Sequence, residues 1–197
     1  MHNINRKQKV FAIANQKGGV GKTTTTINLA TGLAAVGLKI LLIDLDPQGN
    51  ASTGLGIEKN EREINSYSVI SGDSQLNEAI KKSRIPNLDI IVATVDLLGA
   101  EIELIDKDKR GYQLDEALKD FNKYSNSEYD YILIDCPPAL GILTLNALTA
   151  ADSVLVPLQC EFFALEGLSQ LMKTVEMVRL TFNPNLKLEG IILTMFD

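Results

Sequence analysis

Residues 16–24 form a glycine-rich stretch, Gln16-Lys17-Gly18-Gly19-Val20-Gly21-Lys22-Thr23-Thr24, between a short apolar run and a long helical pattern. The apolar run at residues 10–15 predicts a buried strand, and residues 22–36 predict a helix. Glycines at such a junction allow the backbone to turn tightly and to aim successive N–H groups at phosphate oxygens. The positive end of the helix dipole strengthens that attraction. The stretch therefore predicts a phosphate-binding loop.

The loop departs from the standard P-loop pattern GxxxxGK[ST] at one position. Gly21-Lys22-Thr23 fits the end of the pattern, but Gln16 stands where its first glycine belongs, and Lys17 is an additional cation. Lys22 would bridge the β- and γ-phosphates, and the Thr23 hydroxyl would coordinate Mg²⁺. A dinucleotide-binding GxGxxG alternative maps to residues 19–24 and lacks its third glycine.

The rest of the chain alternates strand-like and helix-like segments. Residues 39–43 are almost entirely apolar, as in a strand that is buried on both faces of a parallel sheet. Further strands are predicted at 88–92, 131–134, 153–157 and 188–195, further helices at 75–82, 112–124, 142–150 and 163–181, and a loop at 44–56. The pattern predicts an α/β fold, a mostly parallel twisted sheet with helices on both faces.

Acidic residues follow two of the predicted strands directly. Asp44 and Asp46 come after the strand at 39–43, and Asp135 comes after the strand at 131–134. Ligands of open α/β sheets bind at the carboxyl ends of the strands, so these carboxylates should meet the phosphate loop at one edge. Asp135 is placed like a Walker B acid, which holds Mg²⁺ through a water molecule.

Composition excludes several classes of protein. The 197 residues are 45% hydrophobic and 22% charged with a net charge of −6, which argues against a disordered chain and a strongly basic nucleic-acid binder. His2 is the only histidine, so a Ser–His–Asp triad and a histidine zinc site are excluded. Cys136 and Cys160 form no CxxC motif and are expected to be packing residues in a reducing cytosol.

Three further features of the sequence allow predictions: the basic N-terminal residues, the charge-free runs and an aromatic pair. Residues 1–9 contain three basic side chains and no acid, and are interpreted as a basic tail before an ATPase domain at 10–197. The longest charge-free runs, 23–38 and 136–151, are too short to span a membrane. Phe162 and Phe163 are expected to pack in the core, with a dimer-interface contact as the alternative.

Four segments together resemble the ParA/Soj-type chromosome and plasmid partitioning ATPases, which carry a deviant Walker A loop. They are KGGVGKTTT, DLDPQGNAS, the turn at residues 135–138 and PLQCEFFALEGL. The loop alone is shared with MinD division-site ATPases, nitrogenase iron proteins and arsenite-pump ATPases, and the other segments favour the partitioning branch. The resemblance runs from about residue 10 to residue 197.

The resemblance implies a role for each matching residue. Lys17 is expected to reach the partner's phosphates across an ATP-bound homodimer, and Asp46 to orient the attacking water. With Lys22 these form the expected catalytic set. The expected nucleotide-binding residues are Lys17, Gly18, Gly19, Val20, Gly21, Lys22, Thr23 and Thr24. The expected metal-binding residues are Thr23, Asp44 and Asp135.

The function implied by the resemblance is an ATP-dependent DNA-segregation switch. Such proteins use ATP and Mg²⁺, bind DNA without sequence preference as a homodimer, and hydrolyse ATP when a ParB/Spo0J-like partner stimulates them. A cytoplasmic, nucleoid-associated protein with no membrane contact is expected. The chain ends directly after a predicted strand, so it is expected to lack the C-terminal part of the family domain. The alternatives are a MinD-like positioning ATPase and a non-catalytic nucleotide-binding remnant.

Overall fold

A single twisted sheet and eight α-helices make up the described part of the chain. The structure, a computed structural model, describes residues 8–104, 107–124, 129–162 and 164–195. The strands are β1 Lys9–Ile13, β2 Ile40–Asp44, β3 Ile80–Lys82, β4 Leu88–Ile91, β5 Tyr131–Asp135, β6 Ser153–Gln159 and β7 Lys187–Thr194. The helices are α1 Lys22–Ala35, α2 Asn50–Gly54, α3 Ser66–Ser71, α4 Leu76–Ala79, α5 Leu97–Glu103, α6 Gln113–Tyr124, α7 Ile142–Ala150 and α8 Ala164–Thr181.

The sheet has the order β3-β4-β2-β5-β1-β6-β7. Every pair of neighbouring strands is parallel except β3 with β4. The predicted mostly parallel α/β fold is therefore confirmed. The central strand β5 lies between β1 and β2, and its register places Asp135 opposite both Ile13 and Asp44. This register brings the ends of three strands to the phosphate loop.

Helices cover both faces of the sheet, which explains why β2 is apolar throughout. Leu41 and Ile43 face one core cluster, and Ile40 and Leu42 face the other. The first cluster includes residues of α6, α7 and α8, and the second includes residues of α1 and α2. Full burial of a leucine or isoleucine side chain contributes about 1.5–3 kcal/mol, so the four apolar residues of β2 together contribute roughly 6–12 kcal/mol.

Two predicted segments differ from the structure. The predicted loop at 44–56 contains α2, because Ser52 bonds back to the end of β2 and closes a helical turn there. The predicted helix at 75–82 is helical only over α4. Its second half is β3, since Ile80–Lys82 pairs with β4 at the edge of the sheet. The periodicity also missed α3, α5 and the short 3₁₀ turn at Lys59–Glu61.

The apolar side chains of α8 are only partly buried. Val175 and Val178 are buried, but Leu165, in the first turn of α8, is 75% exposed. Phe162 is 92% exposed, so its predicted core packing is wrong, and Phe163 lies outside the described residues. Cys160 is also exposed, which contradicts its prediction as a packing residue.

Cys136 is buried directly after β5, as the sequence predicted. Within the described residues, no helix combines the length and the apolar character needed to cross a lipid bilayer.

Candidate nucleotide site

The phosphate loop follows β1 and leaves a run of backbone donors open. Gly21 adopts a left-handed conformation (φ 88°) immediately before α1 and provides no side-chain cap for that helix. Among the described residues, none accepts a hydrogen bond from the backbone N–H groups of residues 18–24. Because the same groups form the positive end of α1, the loop is suited to hold an anion.

Lys22 lies across this loop rather than pointing to solvent. Lys22 is 7% exposed, and its Nζ donates to the Lys17 carbonyl oxygen at 3.0 Å. Burial lowers the pKa of the Lys22 ammonium, and the nearby Asp135 and Asp46 carboxylates offset part of that effect. A phosphate that replaced the carbonyl as partner would restore full charge compensation to this cation.

Lys17 occupies the outer side of the loop and forms an ion pair with Glu161, which follows β6. Both side chains are partly exposed, at 37% and 48%, so the pair contributes at most about 1 kcal/mol. Asn15 ties the loop to the same strand, since its Nδ2 donates to the Pro157 carbonyl at 2.6 Å and its Oδ1 accepts from the Lys17 N–H at 3.0 Å. Because the ion pair with Glu161 is weak, Lys17 can exchange that partner for another at low cost. Sequence reasoning did not single out Asn15 or Glu161.

The Asp135 carboxylate accepts hydrogen bonds from two hydroxyl groups at the start of α1. Thr23 Oγ1 lies 2.7 Å from Oδ2, and Thr26 Oγ1 lies 3.0 Å from Oδ1. Burial and the nearby Asp44 raise the pKa of Asp135 to about 7, although the two hydroxyl contacts oppose the shift. Mg²⁺ is often held by one or two side-chain oxygens plus water and phosphate oxygens, and Thr23 with Asp135 fits that donor set.

Asp44 holds the loop that follows β2. Its Oδ2 accepts from the Ser52 N–H at 2.9 Å and from the Ser52 hydroxyl at 2.7 Å, and its Oδ1 accepts from the Asp46 N–H at 3.1 Å. Burial raises the pKa of Asp44 to about 6. Both carboxylate oxygens thus contact the chain itself. In the part of the chain that the structure describes, no group of three or more His, Cys, Asp or Glu could hold a metal ion.

Asp46 lies at the start of this loop, and its Oδ1 accepts from the Gln48 N–H at 2.9 Å. The Asp46 carboxylate lies close enough to Lys22 for its charge to raise the pKa of the ammonium group. The two side chains therefore belong to the same site. Asp46 is 7% exposed. The structure therefore brings Lys22, Thr23, Asp44, Asp46 and Asp135 together, as the sequence predicted, with Lys17 at the rim.

A buried arginine that the sequence did not reveal fixes the far side of the same loop. Arg62 is 6% exposed, and Nη1 donates to the Ala93 carbonyl at 3.2 Å and to the Gly49 carbonyl at 3.4 Å. Nη2 donates to the Ile57 carbonyl at 2.8 Å and to Thr53 Oγ1 at 2.9 Å. Arg62 stands in a segment of mixed charges at 58–63, so no local pattern distinguishes it from a surface residue.

A cavity of about 530 Å³ lies away from this site, between the α3–α4 connection and α6. None of its lining residues belongs to the phosphate loop or to the loop after β2. The candidate nucleotide site, at the open sheet edge formed by the ends of β1, β2 and β5, is therefore separate from this cavity.

A doubly wound α/β sheet with a lysine-bearing glycine loop and strand-end carboxylates defines a P-loop nucleotide-binding protein. The AAA domain family model AAA_31 matches residues 8–188. The chain is 57% identical over 189 residues to the chromosome partitioning protein ParA of Caulobacter vibrioides, covering 96% of this chain and 70% of the relative. It is 53% identical to the sporulation initiation inhibitor protein Soj of Bacillus subtilis, covering 96% and 73%. The chain belongs to the ParA/Soj family of partitioning proteins.

Solved structures show a similar fold with nucleotide bound. Cobyrinic acid a,c-diamide synthase from Mycobacterium smegmatis, with bound ADP and magnesium, superposes with a TM-score of 0.91 at 40% identity. The match covers 97% of this chain and 76% of that chain. The same protein has also been solved with an ATP analogue and magnesium.

Proposed function

We propose that this chain is an ATP-dependent DNA-segregation switch. It binds ATP with Mg²⁺, pairs as a homodimer, binds DNA without sequence preference, and hydrolyses ATP when a ParB/Spo0J-like partner engages it. The observation that carries the proposal is the 2.7 Å contact between Thr23 and Asp135, beside a loop whose N–H groups have no acceptor among the described residues. Membership of the ParA/Soj family supports the same conclusion.

The binding roles follow from the contacts of the loop. The backbone N–H groups of residues 18–24 would cradle the phosphates, and Lys22 would release the Lys17 carbonyl to pair with them. Thr23 and Asp135 would hold Mg²⁺, Thr23 directly and Asp135 through water. When bound, Mg²⁺ neutralises charge on the phosphates. Asp44 would support this arrangement by fixing the loop through Ser52.

The catalytic roles use one carboxylate and one cation. Asp46 lies beside the phosphate loop and would orient the water that attacks the γ-phosphate. Lys17 would leave Glu161 and reach the phosphates of the partner subunit, which is the role of an arginine finger supplied in trans. Because neither role needs a histidine or a covalent nucleophile, the presence of a single histidine is consistent with the proposal.

The proposed function also implies where the protein acts and which molecules it meets. A DNA-bound switch would lie in the cytoplasm on the nucleoid, with residues 10–197 as the ATPase domain and residues 1–9 as a basic tail. The choice of ATP over GTP is supported by the ADP and the ATP analogue in the similar structures. The ParB/Spo0J-like partner and the DNA are supported by the family alone.

Two substitutions separate binding from hydrolysis. Asp46→Ala should still dimerise with Mg-ATP in sedimentation velocity and retain plasmid DNA in a gel shift, but lose turnover. Lys22→Ala should fail in all three assays because it removes the phosphate-binding charge. Lys119→Ala is the matched control, since Lys119 lies on the surface of α6 and, among the described residues, forms its ion pair with Asp115. Equal turnover in Asp46→Ala and the unsubstituted chain would remove Asp46 from the mechanism, and a monomer in saturating Mg-ATP would contradict the switch.

A further inference from the structure

The last described strand of the sheet ends on the phosphate loop. Thr194, the final residue of β7, donates its hydroxyl hydrogen to the Val20 carbonyl oxygen at 2.8 Å, across 174 residues of sequence. Its register opposite Gln159 fixes its position in the sheet. The next residue, Met195, has a positive φ of 50° and turns the chain away from the strand. The sheet therefore presents the Thr194 side chain to the loop at a defined place.

The methyl group of Thr194 lies beside Gly21, on the side where a Cβ atom would stand. A Cβ atom built on Gly21 would lie 3.5 Å from Thr194 Cγ2, which is ordinary van der Waals contact. Val20 is 1% exposed, so its carbonyl oxygen has little access to water as another partner. The peptide between Val20 and Gly21 is thus held by one residue from a distant strand.

Holding this carbonyl determines the direction of the next N–H group. In a planar trans peptide the C=O and the N–H point in opposite directions, so the Val20 carbonyl fixes the Gly21 N–H on the side away from Thr194. Among the described residues none accepts that N–H. Gly21 has no Cβ, so its φ, 88° here, can change at little steric cost, and the peptide can reorient if the carbonyl contact is lost.

We propose that Thr194 is a positioning residue for nucleotide binding: it orients the Val20–Gly21 peptide so that the Gly21 N–H serves as a phosphate donor. The inference rests on the proposed function, because it assigns a residue to the same phosphate site. Thr194 touches no phosphate itself. Its hydroxyl acts through the backbone, and serine in its place would keep that action.

The test compares Thr194→Val, which keeps the shape and removes the hydroxyl, with Thr194→Ser, which keeps the hydroxyl. Thr149→Val is the control, since the Thr149 hydroxyl makes a 2.8 Å bond to the Leu145 carbonyl within α7. Calorimetric titration with Mg-ATP should show roughly fivefold weaker binding for Thr194→Val, the value of one net hydrogen bond. Thr194→Ser and Thr149→Val should bind like the unsubstituted chain.

A second readout needs no nucleotide. The ¹H–¹⁵N resonance of Gly21 in the free protein should move in Thr194→Val and return to its place in Thr194→Ser. Unchanged affinity and an unchanged Gly21 resonance in Thr194→Val would overturn the inference. Equal loss of affinity in Thr149→Val would also overturn it, because the effect would then be one of general stability. Absence of Mg-ATP binding by the unsubstituted chain would instead reject the proposed function, while the resonance would still test Thr194.

Discussion

Replacement of Asp135 by asparagine should stabilise the nucleotide-free chain at alkaline pH while it removes the carboxylate that we propose as a Mg²⁺ ligand. The buried carboxyl has a pKa of about 7 against an ordinary value of 3.8. The folded chain therefore binds this proton more tightly than the unfolded chain does, and the folded state loses stability as the pH rises from about 4 to 7. At about 1.4 kcal/mol per pH unit, the charged carboxylate costs on the order of 4 kcal/mol above pH 7.

Asparagine fits the surroundings of Asp135 without the charge. Thr26 Oγ1 lies 2.9 Å from the Lys22 carbonyl, so its hydrogen can go there while its oxygen accepts from the asparagine amide. The amide oxygen can still accept from Thr23. Because this replacement is imperfect, we expect about half of the cost to be recovered, roughly 2 kcal/mol at pH 8.

Urea unfolding at pH 8 and pH 5.5, without Mg²⁺ or nucleotide, measures this effect. Asp135→Asn should exceed the unsubstituted chain in free energy of unfolding at pH 8 and approach it at pH 5.5, where the carboxyl is already protonated. Asp120→Asn, on the exposed side of α6, should show no such pH-dependent difference. A gain of the same size at both pH values, or no gain at pH 8, would refute the electrostatic reasoning.

Three further predictions concern the loop after β2 and the cysteines. Gly49→Ala should lower the free energy of unfolding by more than about 2 kcal/mol, because the φ of Gly49 is 61° and the added Cβ would lie 2.5 Å from Arg62 Nη1. Gly32→Ala in α1 is the control. Its added Cβ would meet no atom within 4 Å, so the free energy of unfolding should rise by about 0.5–1 kcal/mol. A chain that urea unfolding shows to be more stable with Gly49→Ala than with Gly32→Ala would contradict this reasoning. Arg62→Met should cost about 3 kcal/mol in the same assay, because it leaves buried carbonyl oxygens without a donor; a cost below 1 kcal/mol would mean that water replaces the guanidinium. A thiol reagent should label Cys160 alone in the native chain and both cysteines in urea, since burial raises the pKa of Cys136; rapid native labelling of both would contradict the burial.

The residues of the site that the sequence predicted are those with a local pattern. The glycine loop stands between a strand and a helix, and Asp44 and Asp135 each end an apolar strand. Parallel strands place such ends on one edge, so their convergence could be inferred before the structure was known. The confirmed parallel sheet follows from the same alternation of strands and helices.

The remaining parts of the site depend on contacts between distant segments. Thr194 reaches Val20 across 174 residues, and Glu161 reaches Lys17 across 144. Arg62 contacts the loop after β2 through carbonyl oxygens, which any residue possesses. No periodicity or motif records such contacts. The exposure of Phe162 was missed for a related reason, because an aromatic residue at a loop–helix junction packs only where a neighbouring element covers it.

Calorimetric titration of the chain with Mg-ATP and with Mg-GTP, with Lys22→Ala and Lys119→Ala alongside, tests the central claim most directly. The account predicts binding that favours ATP, that is lost in Lys22→Ala and that is unchanged in Lys119→Ala. A folded chain that binds neither nucleotide, or that binds ATP equally well after Lys22→Ala, would contradict the claim that this sheet edge is an ATP site.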